Sequence, residues 1–226
     1  MRTALALVIS IALLCSAASG SAAASSSRLT PGTGQLNLMP LPRSALGVGS
    51  GALKLAPDSG VVSNAFAAQD AGDGFTAADL TKRGRVTGYS LDYVVPNATL
   101  PQTRHALLGV RTIAELYRGS AMATRGLAFW RGVTRNLSGR QANGITVAVS
   151  PFRAGIGAGT FAYELAYRHT GQPLYYVGDV VFRTGPLLGA VFVTATDAIG
   201  LRARTLQLAD RLASRISRVD GSQEQA

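Results

Sequence analysis

Alternation of apolar and polar residues between positions 85 and 195 predicts six β-strands. The first two have the sequences RVTGYSLDYVV, which Pro96 ends, and HALLGVRTIAELY. The third is GITVAVSPF, and the stretch TFAYELAYRHTGQPLYYVGDVVFRTGPLLGAVFVTATD divides into three more at the turn sequences Thr170–Pro173 and Thr184–Pro186. Because short turns join antiparallel neighbours, we expect antiparallel pairing.

Three segments carry a helical pattern instead. In TAADLTKRG, Thr76 and Asp79 have the spacing of a capping box, and Gly84 provides a C-terminal stop. The segment SAMATRGLAFWRGVTRNL has a stripe of large apolar residues at helical spacing, formed by Met122, Phe129, Trp130, Val133 and Leu137. The last helix is predicted from Ala198 to about Val219, with one apolar side formed by Leu201, Leu208, Leu212, Ile216 and Val219.

The element order α-β-β-α-β-β-β-β-α predicts an α+β fold with a single curved antiparallel sheet of about six strands packed against helices. The predicted domain covers residues 76–219 and is followed by a disordered tail at 220–226. Residues 25–75 are rich in Gly, Ser, Pro and Ala, which predicts a mostly irregular segment that drapes over the domain. A short helix is predicted within it, near Ser63 to Asp70.

The N-terminus has the pattern of an export signal over residues 1–24. Arg2 provides a positive start, the run Ala4–Leu14 is apolar, and small residues follow. The apolar run is shorter than the roughly 20 residues that a membrane-spanning helix needs. Cleavage is predicted near Ala22–Ala24. We therefore expect a secreted or extracytoplasmic protein with no transmembrane segment in the mature chain.

Lipid attachment at Cys15, the only cysteine, is the alternative to cleavage after it. The residue before a lipidated cysteine must be small, and here that residue is Leu14. Cleavage is therefore the preferred interpretation. The mature protein would then contain no thiol, which excludes disulfides, thiolate nucleophiles and cysteine metal ligands.

Charge and composition indicate a basic bacterial protein. Twenty arginines against two lysines, with abundant alanine, are typical of a GC-rich genome. The formal net charge is +10: residues 25–75 balance to zero, whereas residues 76–226 hold 18 basic and nine acidic residues. Such a domain attracts anionic envelope polymers or another envelope protein, and no nucleic-acid partner is expected. The alternative is that the charge serves solubility alone.

A turn centred on Gly171 and Gln172 would place Glu164 opposite Asp179 in the hairpin. Paired Cβ atoms in a sheet lie about 4.5–5.5 Å apart, which lets two carboxylates share a proton or act as acid and base. Glu164 and Asp179 are therefore the candidate catalytic pair of a hydrolase. The alternative is an ordinary charged face on which neighbouring arginines compensate the two carboxylates.

The same register divides the hairpin into two faces. One face is predicted to be the core, with Phe161, Tyr163, Leu165, Tyr167, Val180, Phe182, Val191 and Val193. The opposite face is mixed and supplies four candidate ligand-binding residues, Tyr175, Arg168, Arg183 and Phe192.

A row of arginines borders the apolar side of the last predicted helix. Its members are the anion-binding candidates Arg204, Arg211, Arg215 and Arg218. The alternative is that their aliphatic stems cover the edge of the core while their charged heads remain in water.

No sequence motif indicates a nucleophile, a metal site or a cofactor. His105 and His169 are the only histidines, and neither has a second ligand at metal-binding spacing. The run Gly155–Gly159 leads into a strand, whereas a phosphate loop must open a helix. We expect no metal and no cofactor, and enzymatic activity is not favoured.

The segments TIAELYRGSAMATRGLAFW, GDVVFRTGPLLGAVFVTATD and LQLADRLASRI occur in an order that resembles secreted bacterial Mog1/PsbP-like α+β domains, over roughly residues 85–218. The resemblance implies a ligand- or partner-binding module without catalysis, and it carries over no site residue. The leading hypothesis is therefore an exported, non-catalytic binding domain of the cell envelope. A hydrolase using the carboxylate pair and a structural envelope protein are the alternatives.

Overall fold

A computed structural model describes residues 34–72, 74–96 and 106–221 of the 226-residue chain. The predictions for the export signal, Cys15, His105 and the chain after residue 221 lie outside these residues. Within them the strands are β1 (Lys54–Leu55), β2 (Gly60–Val62), β3 (Arg85–Val94), β4 (Leu107–Tyr117), β5 (Gln141–Ala142), β6 (Ile145–Pro151), β7 (Thr160–His169), β8 (Gln172–Thr184) and β9 (Leu187–Ala195).

These nine strands form one sheet, in the order β1-β3-β4-β9-β8-β7-β6-β5, with β2 also paired to β3. Every pair is antiparallel. The α+β class and the antiparallel pairing are confirmed, but the predicted six strands are too few. The additional strands β1, β2 and β5 have only two or three residues, which is too short for an alternating pattern to be visible.

Four α-helices occur in the described residues: α1 (Asn64–Ala71), α2 (Ala77–Lys82), α3 (Ser120–Arg135) and α4 (Leu201–Gly221). The predicted capping box starts α2, because the Thr76 hydroxyl accepts from the backbone N–H of Asp79 and the Asp79 carboxylate accepts from that of Thr76. The predicted short helix is α1, which the Ser63 side chain caps. α4 continues through residues 220 and 221, which were predicted to belong to the tail.

Both faces of the sheet are buried. The α3 face lies under α1, α2 and α3, and the α4 face lies under α4 and the strap, our name for residues 34–53. The strap contains three short 3-10 helices, Leu36–Leu38, Arg43–Ala45 and Ser50–Ala52. The strap contributes five buried side chains to the same core as α4. They are Leu36, Met39, Leu41, Leu46 and Leu53. The described fold therefore begins well before residue 76.

The side of α3 that faces the sheet contains only part of the predicted stripe: Met122, Trp130 and Leu137 pack, half-buried, on the core beneath the helix. The fully buried positions are Ala123, Gly126, Leu127 and Thr134. Gly126 lies directly against the ring of Tyr117, so the helix approaches the sheet on its small residues. Phe129 packs on a separate small core with α1 and α2, and Trp130 contacts both this small core and the core beneath α3.

A buried polar network joins α1, β3, β4 and α3 on the α3 face. Arg85 is only 1% exposed and pairs with Glu115 at 2.9 Å. The same guanidinium donates to the Asn64 side chain at 2.7 Å and to the Val62 carbonyl at 3.1 Å. The other Glu115 oxygen accepts from the Tyr117 hydroxyl and from the Trp130 indole, both at 3.0 Å. Since this buried ion pair is saturated with hydrogen bonds, it orients the four elements relative to one another.

The close approach of α3 predicts opposite effects for two glycines of this helix. Gly126→Ala is expected to destabilise the protein by about 1–3 kcal/mol, because its Cβ would overlap the Tyr117 ring. Gly132→Ala is expected to stabilise it by about 0.5–1 kcal/mol, because a Cβ there meets no atom within 4 Å and alanine favours the helix. Urea unfolding of the two variants measures both changes. A stabilised Gly126→Ala variant would contradict this packing.

Candidate functional site

The hairpin of β7 and β8 has a different register from the predicted one. Thr170 and Gly171, both with positive φ (50° and 82°), form a two-residue turn that pairs His169 with Gln172. A bulge after Tyr167 then shifts the register by one residue. Along the rest of the hairpin Glu164 pairs with Gly178, and Asp179 pairs with Tyr163.

This one-residue difference separates the two candidate carboxylates. Glu164 lies on the α4 face and forms an ion pair with Arg202 at 2.9 Å. Asp179 lies on the α3 face and accepts a hydrogen bond from Thr134 at 3.1 Å. The sheet stands between them, so the prediction that they are directly paired is wrong. The predicted core face also divides: Phe161, Tyr163 and Leu165 pack under α3, whereas Val180, Phe182, Val191 and Val193 pack under α4.

Asp179 is nevertheless an unusual residue. It is 2% exposed, and its second oxygen, Oδ1, has no hydrogen-bond partner among the described residues. Burial raises the pKa of Asp179 to about 7, and the hydrogen bond from Thr134 offsets the increase only in part. It stands in a row of directly paired residues across the sheet, formed by Asp92, Arg111, Phe192, Asp179 and Tyr163.

Charge also accumulates at the β3 end of this row. The Arg111 guanidinium pairs with Asp70 of α1 at 2.9 Å. Burial raises the pKa of Asp92 to about 6, although the positive charge of Arg111 lowers it. Burial likewise raises the pKa of Asp70. The described residues contain no cluster of three or more His, Cys, Asp or Glu side chains that could hold a metal ion.

The four predicted ligand-binding residues do not converge on one site. Tyr175 is buried and stacks on Tyr167 with ring centroids 4.4 Å apart. Arg183 is eight residues further along β8, roughly 26 Å away at strand spacing, and donates to the Gly185 carbonyl at 3.3 Å. Phe192 is half-buried between Arg111 and Asp179, and Arg168 is exposed.

The arginine row of α4 binds the strap. Arg204 donates to the Val48 carbonyl at 2.9 Å, Arg211 to the Ala45 carbonyl at 2.6 Å, and Arg215 to the Leu38 carbonyl. Arg211 and Arg215 also line a groove of about 300 Å³ with Arg218, beside Leu41 of the strap. Three of the four anion-binding candidates therefore have carbonyl partners that the sequence did not reveal.

These contacts place exposed apolar side chains beside the cations. Val48 is 89% exposed and Leu38 is 49% exposed, and their carbonyls are the ones that Arg204 and Arg215 hold. The strap contributes a further exposed cation, Arg43. We call this surface the strap face and define it by Leu38, Arg43, Val48, Arg204, Arg211, Arg215 and Arg218. Sequence reasoning missed it because the strap has no periodic pattern.

No protein-family model and no curated protein sequence matches the chain. Among solved structures, the chain is similar to the extracellular domain of PknH from Mycobacterium tuberculosis, with a TM-score of 0.53 and 12% sequence identity. The likeness covers 80% of this chain and 95% of that domain. At this identity it shows a shared α+β fold. No helix in the described residues is both long and apolar enough to cross a membrane.

The buried carboxyl of Asp179 predicts a pH-dependent stability. An unfolded Asp179 ionises near its ordinary pKa of 3.8, whereas the folded protein retains the proton up to about pH 7. The folded state thus binds the extra proton in this window, so stability should fall as pH rises through it, by about 1 kcal/mol for each pH unit. Asp179→Asn cannot titrate and should lose this component. Urea unfolding across the window compares the two proteins, and parallel pH profiles would contradict the assignment.

Proposed function

We propose that this protein is an exported, non-catalytic domain that docks on an anionic lipid surface of the bacterial envelope through the strap face. The observation that carries the proposal is the position of Val48 and Leu38 beside Arg204 and Arg215. The export pattern at the N-terminus, the net charge of +10 and the fold shared with an extracellular domain support it.

The strap face has the chemistry that peripheral membrane binding needs. A guanidinium has five N–H donors, and the hydrogen bonds of Arg204, Arg211 and Arg215 to the strap use one each. The remaining donors are free to bind lipid phosphates. Each basic residue near an anionic bilayer contributes about 1 kcal/mol to binding. Asp210 is the one acidic residue that lines the groove with Arg211, Arg215 and Arg218, so attraction to an anionic surface exceeds repulsion.

The apolar side chains favour lipid over a water-soluble polymer. Val48 and Leu38 are largely exposed to water, and immersion in the headgroup region would remove that contact. Burial stabilises by roughly 25 cal/mol for each Å² of apolar surface. A polyanion in solution would use the arginines alone. Binding to a wall polymer or to another envelope protein remains the alternative partner, and the Mog1/PsbP-like resemblance remains a prediction.

Vesicle sedimentation of the protein recovered after export tests the proposal. The intact mass of the same protein shows whether the chain was cleaved near Ala22–Ala24. We expect binding to vesicles with anionic headgroups, weaker binding as salt rises, and little binding to neutral vesicles. Leu38→Ala with Val48→Ala should reduce the affinity about tenfold, since roughly 1.4 kcal/mol of apolar burial is lost.

A matched control is available in the same N-terminal segment. Leu55 and Val61 are 55% and 71% exposed but lie on β1 and β2, which pair with β3, whereas α4 with its arginine row packs on β8 and β9. Leu55→Ala with Val61→Ala removes the same side-chain types and should leave vesicle binding unchanged. Equal losses in both double variants, or undiminished binding in the first, would overturn the proposed docking face. Binding to a soluble anionic polymer that exceeds binding to vesicles would favour the polymer alternative.

A further inference from the structure

A second basic surface lies on the α3 face, between α2 and α3. It is an open groove of about 580 Å³, lined by Asp79, Lys82, Arg83, Arg125, Ala128 and Phe129. Three of these residues are cationic and one is acidic. The groove could not be recognised in the sequence. Lys82 and Arg83 lie at the end of α2, whereas Arg125 lies in α3, about 40 residues later in the chain.

The cations of the groove have few partners, unlike those of the strap face. The Arg83 guanidinium lies over the Phe129 ring, 4.5 Å from its centroid. Within the part of the chain that the structure describes, Arg125 makes only a long contact with the Met122 sulfur, at 3.8 Å. None of the three cations forms a salt bridge within the described residues. The Asp79 carboxylate is itself held by Thr76 at the start of α2.

The cation–π contact with Phe129 prepares Arg83 to bind an anion. A guanidinium that an aromatic ring holds in this way keeps the N–H donors that point away from the ring available to a ligand. Phe129 is fixed in turn by edge-to-face contacts with Phe75 and Trp130, whose ring centroids each lie 5.0 Å from the centroid of the Phe129 ring. The guanidinium therefore has a defined position before any ligand arrives, and less conformational entropy is lost on binding.

The floor and the shape of the groove narrow the class of ligand. Ala128 and Phe129 form an apolar floor between the cations, and the neighbouring Phe75 ring is 36% exposed. The C–H face of a sugar ring packs on such a surface, whereas a bare phosphate chain has no apolar face. An open groove suits a chain that passes across it better than a small molecule, which is usually enclosed.

We propose that the groove between α2 and α3 binds an acidic polysaccharide, with its carboxylates on Lys82, Arg83 and Arg125 and a sugar ring against Ala128 and Phe75, beside the Phe129 ring that Arg83 covers. The groove lies on the opposite side of the sheet from the strap face. If the strap face rests on lipid, as proposed above, the groove points away from the membrane. The domain then connects a lipid surface to an anionic glycan. The glycan site itself does not depend on membrane docking.

Binding of an oligogalacturonate to the exported protein, measured by calorimetry, tests the site. Lys82→Gln, Arg83→Gln and Arg125→Gln together should weaken binding at least tenfold, and Arg125→Gln alone should weaken it by a smaller factor without loss of packing. The control Lys54→Gln, Arg135→Gln and Arg153→Gln removes the same charges from exposed positions elsewhere and should change the affinity less than twofold. Equal weakening in both triple variants would show attraction by net charge alone and overturn the site.

Two further binding measurements distinguish this site from the strap face, and an acidic sugar from other polyanions. The groove variant should keep full binding to anionic vesicles, and the Leu38→Ala, Val48→Ala variant should keep full binding to oligogalacturonate. Phe75→Ala should weaken binding of the sugar acid more than binding of polyphosphate of equal charge, because only the sugar loses an apolar contact. Binding of polyphosphate with none of oligogalacturonate would overturn the proposed ligand class.

Discussion

The width of the sheet is the constraint on which the rest of the structure depends. A helix is about 10 Å across and adjacent strands are about 4.8 Å apart, so one helix covers about two strands. α4 packs on β8 and β9, which leaves β3 and β4 of the same face uncovered. The strap fills this gap: its first 3-10 helix contacts both strands, and the backbone N–H of Leu41 donates to the buried Thr112 hydroxyl at 3.1 Å.

The need to hold the strap explains the position of the arginines on α4. An irregular segment has carbonyl groups that no helix or strand satisfies, and these can accept hydrogen bonds from side chains of a neighbouring helix. Arg204, Arg211 and Arg215 supply donors to three of them while their stems extend the cover of the core. The same geometry concentrates charge beside Val48 and Leu38. The residues that hold the strap are therefore also residues of the proposed docking surface.

Buried polar groups occur in two different arrangements within the α3 face of the sheet. On the α3 face Arg85 and Glu115 are fully hydrogen-bonded and join four elements, whereas Asp179 has a single partner in a mostly apolar layer. The first arrangement specifies how α1 and α3 dock. The second raises the pKa of a buried acid to about 7. Neither could be read from the sequence, because Arg85, Glu115 and Asp179 all lie in strands whose polar positions resemble solvent-facing ones.

The sequence by itself determined the features that depend on local chemistry. The capping box at Thr76, the apolar side of α4 and the six long strands follow from spacing within short windows, and the structure contains them. Only the tertiary structure decided which carboxylates meet and which surfaces remain open. A strand changes face at every residue, so the bulge after Tyr167 was enough to separate Glu164 from Asp179. Likewise, the partners of Arg204 and Arg215 lie more than 150 residues away, a distance across which no periodicity in the chain carries information.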